Sequence, residues 1–183
     1  MKQRIQTALL ALLFCSTAYS ANVGGIELPP ARDGLQLNGA GLLRKGFIFN
    51  IYVGALYVAD TNHVARILTD VPKQIDIHYY RDTPKKHMIR VANQTLKKNL
   101  APETFERLLP RIEMLHNAFR DGRSGSVASI LHKPGTGLIY AFNDETVTTI
   151  SGDDFANAYF AVWLGERPSS RSMKRAMLNR KSL

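Results

Sequence analysis

The stretch Gly46-Phe47-Ile48-Phe49-Asn50-Ile51-Tyr52-Val53-Gly54-Ala55-Leu56-Tyr57-Val58-Ala59 decides the fold. It is rich in aromatic and β-branched residues, which suit a pleated surface and crowd a helix. At a period of two, Phe47, Phe49, Ile51, Val53 and Ala55 share one face, and Ile48, Asn50, Tyr52, Gly54 and Leu56 share the other. Both faces are mostly apolar, so the strand is central and covered on both sides. The Tyr52 hydroxyl is drawn inside with it.

Working outward, Leu35 to Leu43 reads as a second strand, and a short helix is expected around His63 to Leu68. Gln74 to Tyr80 is again a strand. Thr83-Pro84 marks a helix start, with a hydroxyl N-cap and proline in the first turn. Met88, Val91, Ala92, Thr95 and Leu96 form its apolar stripe. A further helix opens at Pro102 and buries Phe105, Leu108, Leu109, Ile112, Leu115 and Phe119, with Pro110 expected to kink it. Val127 to His132, Leu138 to Phe142 and Thr146 to Ile150 are short strands joined by glycine and Asn-Asp turns, a meander. Asp153 and Asp154 open a helix through Trp163 with Gly165 as its C′ residue, and Ser169 or Ser170 caps a last helix reaching about Arg180. The class is α+β, an antiparallel sheet packed on a helical layer.

The chain has 183 residues, 45% of them hydrophobic, with 24 Lys plus Arg against 15 Asp plus Glu. That hydrophobic content excludes a disordered chain, and the length supports one sizeable core. Lys2 and Arg4, the apolar run Ile5 to Thr17 and the small residues Ala18 and Ser20 read as a secretory signal peptide over 1–20, cut before Ala21. Residues 21–183 are then a single domain, and the expected location is the periplasm. The sole cysteine, Cys15, would leave with the signal; Phe14 before it is too bulky for a lipidation site. Disulfides and cysteine-rich metal sites are excluded.

Removing Lys2 and Arg4 lowers the formal charge from +9 to +7. The basic pairs are spread over helix faces without an aromatic-interleaved stripe, so nucleic acid is not an expected partner, whereas weak contact with a membrane surface is. The histidines His63, His78, His87, His116 and His132 show no helix-face pairing, and no metal is expected. Gly122-Arg123-Ser124-Gly125 lacks the spacing of a nucleophile elbow, and Gly39-Ala40-Gly41 is only a fragment of a dinucleotide fingerprint. No cofactor is expected. Phe160 and Trp163 read as core.

Leu37-Asn38-Gly39-Ala40-Gly41 through Arg44, the Phe47 to Val58 block, and Gly165-Glu166-Arg167-Pro168 with the serine-rich cap after it resemble the bacterial chalcone-isomerase-like family of exported proteins, in the right order. The resemblance spans about Val23 to Arg180. It implies an open-faced β-sandwich, a large antiparallel sheet with helices on one face and a ligand cleft between. It also places Arg44 at the family's cleft arginine, one residue late when counted from Gly39, which a bulge between Gly41 and Arg44 would reconcile. Tyr52 falls where the plant enzymes carry a threonine hydroxyl. The cleft-helix Tyr and Asn of the enzymes fall nearest His87 and Gln94 in one register, and Lys86 and Asn93 in another.

Ring closure of a chalcone adds a phenolate to a conjugated double bond and needs donors for the developing enolate. Bulky Tyr52 in place of threonine would displace such donors, whereas an arginine at the end of an apolar cleft suits a carboxylate, gripping it by two parallel hydrogen bonds. Non-catalytic members of the wider fold family bind fatty acids. The leading expectation is a non-catalytic binder of a fatty-acid-like or other amphipathic carboxylate, with Arg44, Tyr52 and Asn93 at the ligand. Alternatives are an intramolecular lyase using Arg44 and Tyr52 as catalytic residues, and an envelope interaction protein without a small ligand.

Overall fold

The computed structural model describes residues 21–46, 48–60 and 65–179. The expected signal segment 1–20 lies outside these residues, as does most of the first turn of the helix expected from His63. Among the described residues of that stretch, Ala65 and Arg66 are 3₁₀ and none is α-helical.

Seven strands form one antiparallel sheet in strictly sequential order: β3 (Ala31–Arg32), β4 (Leu35–Lys45), β5 (Phe49–Val58), β6 (Lys73–Tyr79), β7 (Val127–Lys133), β8 (Gly137–Phe142) and β9 (Glu145–Ser151). A separate hairpin, β1 (Ala21–Val23) with β2 (Ile26–Leu28), precedes them. Helices α1 (Lys85–Asn99) and α2 (Pro102–Ala118) are inserted between β6 and β7, and α3 (Asp153–Leu164) and α4 (Arg171–Met177) follow β9. The fold is the expected α+β arrangement.

The two-sided burial of β5 has two different covers. Leu56 and Val58 join Ile75, Ile77, Ala128 and Ile130 under the helices, where α3 brings Phe155, Tyr159, Phe160 and Trp163. Val53, Ala55 and Tyr57 face the other way, into a smaller cluster with Leu28 and Leu35 that Val23 and Ile26 of the β1–β2 hairpin help close. Alternation along each strand separates the two sets.

Helix α4 sits directly on the sheet because three glycines clear a track for it. A Cβ on Gly39 would stand 2.4 Å from the Ala176 carbonyl oxygen, one on Gly41 3.0 Å from the Ala176 Cβ, and one on Gly54 2.3 Å from the Met177 Cε. The Asn38 amide donates to the Met177 carbonyl at 2.7 Å, satisfying one acceptor at the helix end. The Leu37-to-Gly41 motif is therefore a helix seat. Ser170 caps α4 by accepting the Met173 N–H, and the helix stops at Met177, short of the expected Arg180.

Two further expectations are corrected. Pro84, not Thr83, occupies the N-cap of α1, and no side-chain cap comes from either. Thr83 is held instead in a two-bond bridge with Gly122, and the Asp121 carboxylate receives the Lys85 N–H at 2.7 Å. Gly165 ends α3 with φ −63°, outside the left-handed region. Its reason is space, since a Cβ there would meet Asn99 Oδ1 at 2.5 Å and the Ala161 carbonyl at 2.6 Å.

The glycine track yields a direct test. Gly39→Ala forces a methyl against backbone that cannot yield as a side-chain tip can, and the overpacking costs roughly 1–3 kcal/mol. A lowered urea midpoint at unchanged m-value is the expected result.

Candidate functional site

A cavity of about 200 Å³ lies between the sheet and the helical layer. Leu43, Ile51 and Tyr52 line it from the β4–β5 end, Ile77, Tyr79, Ala128, Ile130 and Tyr140 from the sheet floor, and Met88, Val91, Ala92, Tyr159, Val162 and Trp163 from the helices. His87 and Ser169, both exposed, mark the rim. The cavity exists because α1 carries modest side chains, Val91 and Ala92, opposite the sheet at this point.

Its wall is aromatic, and each tyrosine hydroxyl on it has a partner. Tyr79 donates to Met88 Sδ at 2.7 Å, Tyr140 accepts the Arg120 N–H at 3.2 Å, and Tyr159 pairs with His116 Nε2 at 3.0 Å. Burial pushes the Tyr52 hydroxyl up to about 12, while a hydrogen bond from the Trp163 indole pulls the other way. Indole N–H can only donate, so the Tyr52 oxygen accepts and its own proton is left to point at an acceptor. The Tyr52 and Tyr79 rings meet edge to face, with centroids 6.2 Å apart.

At the rim, Arg90 Nη2 lies 2.8 Å from His87 Nδ1. Guanidinium is donor-only, so Nδ1 accepts and the ring proton sits on Nε2. His87 thus offers an N–H backed by a cation at the edge of an apolar chamber.

The candidate residues from the sequence are split by this geometry. Tyr52 lines the cavity; Arg44 and Asn93 do not. Arg44 is exposed, and its Nε donates to Asn50 Oδ1 at 3.1 Å. The strand irregularity does fall between Leu43 and Arg44, but the extra residue is Ile51 on β5: Leu43 pairs with Tyr52, and Arg44 with Asn50. That bulge brings Ile51 and Tyr52 together to the cavity, while Leu43 points in and Arg44, its neighbour, leaves on the opposite face. Asn93 is half-buried, its Oδ1 without a hydrogen-bond partner. Gln94 and Lys86 are exposed, so of the four cleft-helix candidates only His87 reaches the chamber.

Trp163 is core, as expected, yet it is also cavity wall. No sequence signal separates the two, because a residue buried against a void and one buried against a side chain follow the same periodicity. His87 was legible as a register option; Arg90 behind it was not.

A second polar cluster sits at the opposite end of the sheet. Lys73, wholly buried, directs its Nζ to the Thr69 carbonyl at 2.8 Å, His132 Nδ1 at 2.8 Å and Asn157 Oδ1 at 2.9 Å, and His132 Nε2 meets Asp153 Oδ1 at 2.9 Å. Asp70, His132 and Asp153 bring ligand atoms within 4.8 Å of one another, a grouping the scattered histidine spacing hides. Lys73 supplies the positive charge there, and burial lowers its pKa to about 8. The cluster ties β6 and β7 to the start of α3.

Comparison with known proteins fits this architecture. A family model described as chalcone isomerase-like matches residues 21–179, essentially all of the described chain. The chain belongs to the chalcone isomerase-like family. Among solved structures it is similar to a fatty-acid binding protein of Arabidopsis thaliana, with a TM-score of 0.71 and 15% identity over 88% of this chain and 96% of that one. A search of curated proteins finds no match.

Behind the cavity wall, His116 gives a pH prediction. Burial drives its pKa down to about 4, so the folded protein keeps the imidazole neutral. The unfolded chain takes up that proton first, near pH 6.5, so stability is complete above that value and is lost as pH falls toward 4. The slope from this group approaches about 1.4 kcal/mol per pH unit. Urea midpoints measured from pH 7.5 to 4.5 should fall for the wild type and fall less steeply for His116→Gln.

Proposed function

We propose that this protein binds an amphipathic carboxylate, seating an acyl or aryl tail in the cavity and its head at the rim. The observation that carries this reading is an aromatic-walled chamber whose lining offers donors to a ligand, the Tyr52 and Tyr140 O–H groups inside and the His87 Nε2–H at the rim. A pocket mostly apolar with a few placed polar groups is the usual form of a small-molecule site. The fatty-acid binding neighbour of the same fold supports it.

Volume sets the tail. An engineered apolar cavity of about 150 Å³ takes benzene, so about 200 Å³ takes roughly eight carbon-sized atoms by proportion. Octanoate and cinnamate are the matching probes. The head group pairs with His87 and Arg90 rather than with Arg44. Ring closure of a chalcone gains no support here, because it asks for a cation inside the cleft, and the described lining carries neither Arg nor Lys. Export belongs to the same proposal: cleavage before Ala21 delivers the domain to the periplasm, and intact mass of protein recovered from that compartment should correspond to 21–183.

Trp163 is the chain's one tryptophan and faces the cavity, so its emission reports occupancy without a label. Titrating octanoate into purified protein should shift that emission and saturate at one equivalent. Val91→Phe fills the chamber and should abolish the response. His87→Ala should weaken octanoate about tenfold, the loss of one hydrogen bond to a charged group, and leave octanol little changed. Arg44→Ala should bind like the wild type. If neither octanoate nor cinnamate produces heat or an emission change, the binding reading is wrong.

A further inference from the structure

Turns between strands are ordinarily polar, and the tip of the β4–β5 hairpin is not. Ile48 is 81% exposed and Phe49 49% exposed. Among the described residues the only other large exposed apolar side chain is Met114, on α2. Basic groups ring the tip. Arg44 and Lys45 lead into it, both exposed, and the Arg81 guanidinium lies 4.9 Å from the Phe49 ring centre while its Nε donates to the Asn50 carbonyl at 2.9 Å.

The neighbouring loops extend the positive field. The Thr83–Gly122 bridge sets the segment after β6 beside the segment after α2, which places Lys85 and Lys86 at the same end as Arg81. The two carboxylates there are engaged by their neighbours: Asp82 by Arg123 at 3.3 Å and by the Ser124 N–H, and Asp121 by the Lys85 N–H. The cavity begins where this hairpin ends, since Leu43 and Ile51 line it.

We propose that the β4–β5 hairpin tip docks the protein on an anionic bilayer, with Ile48 and Phe49 entering the headgroup region and Arg44, Lys45 and Arg81 lying against acidic lipid, so that the cavity takes its ligand from that surface. Two exposed apolar side chains are far too little surface for a stable protein interface. They are enough for an interfacial anchor when a basic cluster adds attraction to anionic lipid, because neither signal is strong alone. The docking stands on its own observations; the origin of the ligand rests on the binding reading above.

The test floats the protein with vesicles of phosphatidylglycerol and phosphatidylethanolamine, and with vesicles of pure phosphatidylcholine. Wild type should float with the first at low salt and not with the second, and raised salt should release it. Ile48→Ser and Lys45→Glu should each reduce the bound fraction at least tenfold, and Met114→Ser should not. Because these positions are exposed, the variants should keep the wild-type thermal midpoint and the wild-type Trp163 response to free octanoate. A wild type that stays in solution, or variants that float equally, would overturn docking. Stopped-flow transfer of octanoate from loaded anionic vesicles, read by Trp163, tests the source: a rate rising with vesicle concentration supports surface pickup, and a rate independent of it overturns that half. Failure of free octanoate to bind while flotation persists would remove the ligand reading and leave docking standing.

Discussion

The close seat of α4 on the sheet is the contact on which the rest of the architecture depends. Side chains at positions 39, 41 and 54 would lift the helix off β4 and β5, and with it the methionines Met173 and Met177 that close that part of the core. With α4 held down, that part of the helix-facing sheet is covered. The remaining helix-facing surface falls to α1, α2 and α3. Where α1 presents Val91 and Ala92 the cover is too thin to fill the space, and the cavity is the result. A close approach at one place thus determines where the packing is allowed to be loose.

The same economy governs the polar groups. The chamber is lined by four tyrosines, and two meet Met88 Sδ or His116 Nε2 with their hydroxyls. These two present ring surface to the interior. Tyr52 and Tyr140 keep a proton to offer because their partners, the Trp163 indole and the Arg120 N–H, can only donate. Across the sheet's length, the buried Lys73 is acceptable for the opposite reason: carbonyls, an amide oxygen and an imidazole nitrogen surround its ammonium. One end of the molecule spends its polar atoms on internal closure, and the other leaves donors at a cavity beside a basic, apolar-tipped hairpin.

Much of this was legible in the sequence. The two-sided apolar run of β5, the meander after Ser126 and the amphipathic stripes of α1 and α2 are periodic signals, and each appears in place because hydrophobic burial acts on every second or every third and fourth residue. Resemblance pointed to the right family through Gly39, Gly41 and the Tyr52 block. Arg44 shows where that reading stops. An irregularity in the pairing before it was anticipated and is present, but the extra residue lies on β5 at Ile51, and a one-residue step reverses the face on which a side chain leaves a strand.

Local periodicity and turn chemistry were enough for the class of fold, the order of its elements from β4 onward apart from the helix expected at His63, the two-faced central strand and the burial of Tyr52. The assembled fold was needed to show that the cavity rim carries His87, backed by Arg90, instead of Arg44, that Trp163 faces a void, and that Lys73, His132 and Asp153 meet. Those outcomes depend on which residue of a ladder is bulged and on how closely two layers approach, and both are relations between segments far apart in the chain, which no local pattern records.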